Sequence, residues 1–125
     1  MVLVLLLAAL LWGSCGLGDG FFFKPNAVEY AALPRGAEEL TFVAPGGPLL
    51  HGWWLPATAP VRGTVVFCHG NARNLTWHAQ YVQWFTRYGF QVLLFDYRGY
   101  GRSDGSPSRA GACLLYTSPS PRDPE

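Results

Sequence analysis

The unbroken apolar runs Thr64-Val65-Val66-Phe67-Cys68 and Val92-Leu93-Leu94-Phe95, with one amphipathic stretch between them, restrict what this chain folds into more than any other feature. A run without polar alternation is expected of a strand covered on both faces, as in a parallel sheet. From about Leu75 to Tyr88, the residues Trp77, Tyr81, Trp84, Phe85 and Tyr88 recur at three- and four-residue steps. That spacing predicts a helix whose aromatic stripe packs into the core. Asn74 or Thr76 is suited to cap its start, and Gly89 to end it in a left-handed conformation. Strand, helix, strand at this spacing is a right-handed βαβ unit. Upstream, Glu39 to Val43 and Leu49 to Leu55 are strand-like and flank Pro45-Gly46-Gly47-Pro48, a turn signal, which predicts an antiparallel hairpin. The fold class is therefore α/β: a hairpin followed by a βαβ unit.

The two ends of the chain read differently. Residues 2 to 12 are all apolar and are followed by Gly13, Ser14 and Cys15. A stretch of about 11 residues suits the apolar region of a secretory signal better than a membrane span of roughly 20. Cys15 after two small residues resembles a lipoprotein cleavage site and is the lipidation candidate. Residues 1–20 are thus expected to be a signal peptide, a lipoprotein leader or a membrane anchor, with a buried helix as the remaining reading. They place the body at a membrane, in the cell envelope or outside the cell. Residues 21–109 form the α/β body. Residues 110–125, with three prolines among the last seven residues, predict a disordered tail. Their string ACLLYTSPSPRD resembles translated adapter sequence, which points to a chain whose own sequence ends near Ser108 to Gly111.

Composition excludes several function classes. The 125 residues suffice for one small domain, and a formal net charge of +1 gives no reason to expect nucleic acid as a partner. Cys15, Cys68 and Cys113 are spread one per segment. That is neither a disulfide framework nor metal-ligand spacing.

The stretch GYGRSDGSPS contains G-R-S-D-G, a letter match to the G-x-S-x-G nucleophile elbow with Ser103 at its centre. An elbow needs a strand running directly into the serine and a helix directly after it. Here the strand ends near Asp96, and Gly105 and Pro107 break up the segment after the serine. A base is missing too, because the last histidine, His78, precedes the serine, and an unassisted hydroxyl is a weak nucleophile. Ser103 therefore reads as a decoy.

Two motifs at the right separation carry a family resemblance instead. VVFCHGNARN at residues 65 to 74 and FDYRGYGRSDGSPS from Phe95 resemble the N-terminal third of α/β-hydrolases of the serine-aminopeptidase-like, Bem46-related branch. The lead-in FVAPGGPLLHGWWLPA is similar to the hairpin that opens those domains. The resemblance implies a fold that is only the N-terminal part of an α/β-hydrolase. It implies that the loop after the first parallel strand supplies an oxyanion-hole N–H: that of Asn71, with Gly70 allowing close backbone approach. It also implies that Asp96 and Arg98 brace the second loop. An anionic substrate group held by Arg98 and Arg102 is the lesser reading of those residues, and His51 in the hairpin and His78 on the helix are expected at the surface or core edge rather than in catalysis.

On this reading the chain is an N-terminal fragment of an exported or membrane-anchored serine hydrolase acting on a small-molecule ester, thioester or amide, with no metal and no organic cofactor expected. It lacks the triad and is inactive alone. The alternative is a complete, non-catalytic, membrane-tethered binding protein presenting Trp53, Trp54 and Trp77 as an apolar contact surface. Either way, the strand from Gln91 to Phe95 is expected to be an unpaired, aggregation-prone edge.

Overall fold

The computed structural model describes residues 19–43 and 47–116. The expected leader up to residue 18, including Cys15, lies outside the described residues, as do part of the hairpin turn and residues 117–125. A short helix α1 (Asp19–Phe22) leads into strands β1 (Glu38–Val43) and β2 (Leu49–Leu55). β3 (Gly63–Cys68) and β4 (Phe90–Phe95) come next, separated by helix α2 (Leu75–His78) and two 3-10 segments. The chain closes on helix α3 (Arg109–Tyr116).

The four strands form one mixed sheet in the order β1-β2-β4-β3. β1 and β2 pair antiparallel from Glu38↔Trp54 to Val43↔Leu49, the expected hairpin. β3 and β4 pair parallel from Gly63↔Phe90 to Cys68↔Phe95, the expected βαβ unit. β4 also pairs antiparallel with β2, which corrects the expected edge: the strand of Val92 to Phe95 is interior and fully flanked. Among the described residues the sheet ends on β1 and on β3, and Val66 of β3 is 58% exposed rather than covered on both faces.

Alternation along the strands divides the core between two faces. On one, Trp53 and Leu55 of β2 and Val92 and Leu94 of β4 meet Leu75, Ala79 and Val82. On the other, Leu50, Phe95, Tyr97 and Tyr100 surround Phe23. Trp53 is thus core, which removes it from the contact surface expected of Trp53, Trp54 and Trp77.

The stretch from Leu75 to Tyr88 starts and stops where expected but is not one α-helix. Asn74 caps it by accepting from the Thr76 N–H, and Gly89 ends it in the left-handed region. Between them the backbone tightens into 3-10 geometry around Val82, at φ −126° and ψ −16°. The last carbonyls are drawn sideways: Thr86 O accepts from the Thr58 N–H and Gly89 O from the Arg62 N–H. The aromatic stripe turns outward as a result, and Tyr81, Trp84 and Tyr88 are exposed while Leu75, Ala79 and Val82 fill the core.

Residues 109 to 116 are helical where an unstructured end was the expectation. Ser108 starts this helix: its Oγ accepts from the Gly111 N–H at 3.1 Å and its carbonyl from the Ala112 N–H at 3.0 Å. The following Ala, Leu and Cys residues carry no Pro to oppose it.

Candidate functional site

In open α/β sheets the loops beyond the carboxyl ends of parallel strands build the sites. Here those loops begin side by side, because the Cys68↔Phe95 register makes His69 and Asp96 neighbours. Both are buried.

His69 holds the first loop in place. Its Nδ1 lies 2.7 Å from the Gly70 carbonyl oxygen, and since a carbonyl only accepts, Nδ1 carries the proton. Nε2 then accepts from the Tyr97 N–H at 3.4 Å. The Gly70 carbonyl and the Asn71 N–H belong to the same planar peptide and point in opposite directions. Anchoring the carbonyl on buried His69 therefore aims the Asn71 N–H away from the core. The next peptide is fixed as well: the Asn71 carbonyl accepts from the Lys24 N–H at 2.9 Å and from the Tyr100 hydroxyl at 2.7 Å. Burial pushes the Tyr100 phenol upward, keeping it a donor. The Asn71 amide side chain donates to the Phe22 carbonyl at 2.9 Å. Among the described residues, no backbone hydrogen bond uses the Asn71 N–H. A backbone donor clamped on both sides and left unused can stabilise an oxyanion.

Arg73, just beyond, is the one non-glycine described with positive φ, at 65°. Its guanidinium sits 3.5 Å above the Trp77 ring, which helps hold that conformation. His78 closes the other side, stacked on His69 at 5.5 Å between ring centroids.

The second loop is organised by Asp96. Its Oδ1 accepts from the Leu75 N–H at 2.7 Å and lies 3.4 Å from His69 Nε2. His51 Nδ1, buried and without a hydrogen-bond partner, lies 3.7 Å from Asp96 Oδ2, while its Nε2 meets Glu39 at 2.7 Å. Arg102 pairs with the same Glu39 carboxylate from the surface. Burial alone would raise the Asp96 carboxyl, but His51, ahead of the Leu75 N–H, holds it below its usual value. The Asp96 carboxylate, ahead of Glu39, raises His51. His51 is thus a core residue of a polar network.

Ser103 is 9% exposed and has both its bonds committed to backbone. Its Oγ donates to the Asp96 carbonyl at 2.8 Å and accepts from the His51 N–H at 2.9 Å. Arg98 does not reach into a site: its guanidinium packs against Gly111 of α3. No group of His, Cys, Asp and Glu among the described residues is arranged to hold a metal ion.

The comparisons with known proteins address the same elements. The family model described as Serine aminopeptidase, S33 matches residues 59–114, the βαβ unit and both loops. The structure of the α/β hydrolase GrgF from Penicillium sp. sh18 superposes with a TM-score of 0.52 at 28% identity, covering 64% of this chain and 29% of that one. The chain belongs to the α/β-hydrolase superfamily. The Pyrococcus furiosus esterase Pf2001 shares the fold, with a TM-score of 0.59 at 23% identity over 74% of this chain and 38% of its own. By sequence the chain is 41% identical over 95 residues to the Escherichia coli protein YfhR, covering 73% of this chain and 34% of that protein. It is 35% identical over 65 residues to caffeoylshikimate esterase of Arabidopsis thaliana, covering 51% of this chain and 20% of the esterase. The chain thus spans about a third of the length of the first curated relatives it matches.

Sequence reasoning located the Asn71 loop but missed what positions it. His69 stood inside the motif, but the motif carries no sign that its ring anchors the Gly70 carbonyl. Tyr100 and Lys24 carried no signal, because they come from segments distant in sequence.

Proposed function

We propose that this chain supplies the first oxyanion-hole donor and part of the substrate wall of a serine hydrolase acting on an ester, thioester or amide. Its nucleophile, acid and base come from sequence outside these 125 residues. The carrying observation is the peptide between Gly70 and Asn71, whose carbonyl is anchored on His69 while no backbone hydrogen bond among the described residues uses its N–H. Ser103 is a structural residue here: its hydroxyl ties β2 to the Asp96 loop. Residues 1–20 serve as leader or membrane anchor, with Cys15 the position for lipid attachment, a reading supported by the apolar run from Val2 to Trp12.

The test is fluorophosphonate labelling of the product of the complete gene, with the modified serine mapped by mass spectrometry. The expected serine lies outside residues 1–125, and Asn71→Pro, which removes the N–H, lowers kcat on a p-nitrophenyl ester by about 10²–10³. Labelling at Ser103, or no labelled serine at all, overturns the proposal. So does an Asn71→Pro variant as active as the wild type.

A further inference from the structure

A cavity of about 350 Å³ adjoins Asn71. Its walls are mostly carbon, from Phe22, Phe23, Tyr97 and Ala112, and its polar lining comes from His69, Asn71 and, at α3, Arg109. That volume lies at the small end of ligand pockets, which run from about 300 to 1,000 Å³. It suits one end of a molecule better than the whole. Phe23 is buried and packs edge-on to Phe22 at 5.1 Å, so the wall is rigid at its base. At the mouth, Phe22 is 54% exposed and Phe21 84%. Exposed apolar side chains continue through Val28, Tyr30 and Leu33 of the same segment. This segment follows the apolar run from Val2 to Trp12, and the ten chain steps from Trp12 to Phe22 span at most about 33–36 Å. A cavity mouth ringed by exposed phenylalanine, so close in sequence to such a run, is placed to face a bilayer.

We infer that this cavity takes the hydrocarbon end of a lipid ester presented at a membrane surface, and that Phe21 and Phe22 dip into that surface to admit it. The acyl chain lies along Phe22, Phe23 and Tyr97, which brings its carbonyl to the Asn71 N–H. Water is excluded by the same walls. This substrate class rests on the hydrolase reading for the role of Asn71, whereas the cavity and its mouth stand independently.

The experiment tracks binding of methyl parinarate, a fluorescent fatty-acyl ester, to the full chain, first in solution and then delivered from phosphatidylcholine vesicles. Saturable binding is expected. Phe22→Asp, at an exposed wall position that the fold tolerates, weakens it roughly tenfold or more by placing a charge in the cavity. Ala112→Trp does the same by filling it. Phe21→Ser, outside the cavity wall, leaves the solution affinity unchanged but slows transfer from vesicles. Equal binding by wild type, Phe22→Asp and Ala112→Trp overturns the acyl site, while the hydrolase reading still stands or falls on the fluorophosphonate result. Unchanged transfer by Phe21→Ser overturns membrane entry. Saturable binding without any labelled serine leaves a lipid-binding cavity and refutes only the catalysis.

Discussion

Replacing Gly101 with alanine tests the Asp96 network without touching any of its side chains. Gly101 adopts φ +51°, and an added Cβ would fall on the Asp96 Oδ2 atom and close to Asn74 Cβ at 3.3 Å. The left-handed backbone alone costs an alanine about 1–2 kcal/mol. Moving the carboxylate aside also strains its 2.7 Å bond from the Leu75 N–H, a charge-assisted bond worth about 1.5–3 kcal/mol. The sum is roughly 2.5–5 kcal/mol. Gly36 provides the control, since it has φ +82° but nothing within 4 Å of its would-be Cβ. Gly36→Ala should therefore cost only the backbone part, about 1–2 kcal/mol. The assay is urea unfolding monitored by tryptophan emission, with the buried Trp53 as reporter of the core. A difference of roughly 1.5–3 kcal/mol between the two variants is expected. Loss of a cooperative transition in Gly101→Ala alone has the same meaning. Costs equal within about 0.5 kcal/mol would refute the claim that Asp96 is held where Gly101 leaves room.

The raised His51 and lowered Asp96 set a pH window. The His51 contribution is complete below its unfolded value of about 6.5 and is lost as pH rises through its higher folded value. The Asp96 contribution is complete above about 3.9 and is lost as pH falls through its lower folded value. The urea midpoint should therefore be highest between about pH 4 and 6.5 and decline on both sides; His51→Gln should flatten the alkaline decline, and a wild-type midpoint constant from mid-acid to mildly alkaline pH would contradict the assignment. The open edge at β3 makes a separate prediction. Val66→Lys, at a 58% exposed position on that strand, should reduce aggregation measured by light scattering at little cost in stability, whereas the same change at buried Val92 should unfold the chain.

The features legible in the sequence were those that depend on neighbours along the chain. The hairpin, both parallel strands, the Asn74 cap and the Gly89 stop are short-range patterns, and each appears in the fold. Strand order was not legible, because a βαβ spacing says that β3 and β4 adjoin but not which of them meets β2. The aromatic stripe misled for a related reason. Its three- and four-residue period assumed α-helical rotation throughout, and tertiary bonds from Thr58 and Arg62 retightened the backbone. Cap chemistry at Ser108 was overlooked because Pro107 and the prolines beyond Thr117 dominated the composition of that end. At the site, Asn71 and Gly70 were visible through their motif. Their supports Tyr100 and Lys24 came from elsewhere in the chain, and a pattern read along one dimension does not show them.

The strand order has a consequence for synthesis. β3 leaves the ribosome before β4, yet it has no place in the sheet until β4 has paired with β2. The 27 positions from Cys68 to Phe95 take roughly 1–5 s to translate at about 5–20 residues per second. For that interval Val65, Val66 and Phe67 form a nascent apolar strand with the hairpin complete but nothing to dock against. Chaperone occupancy on translating ribosomes should accordingly rise after β3 emerges and fall once Phe95 has cleared the exit tunnel.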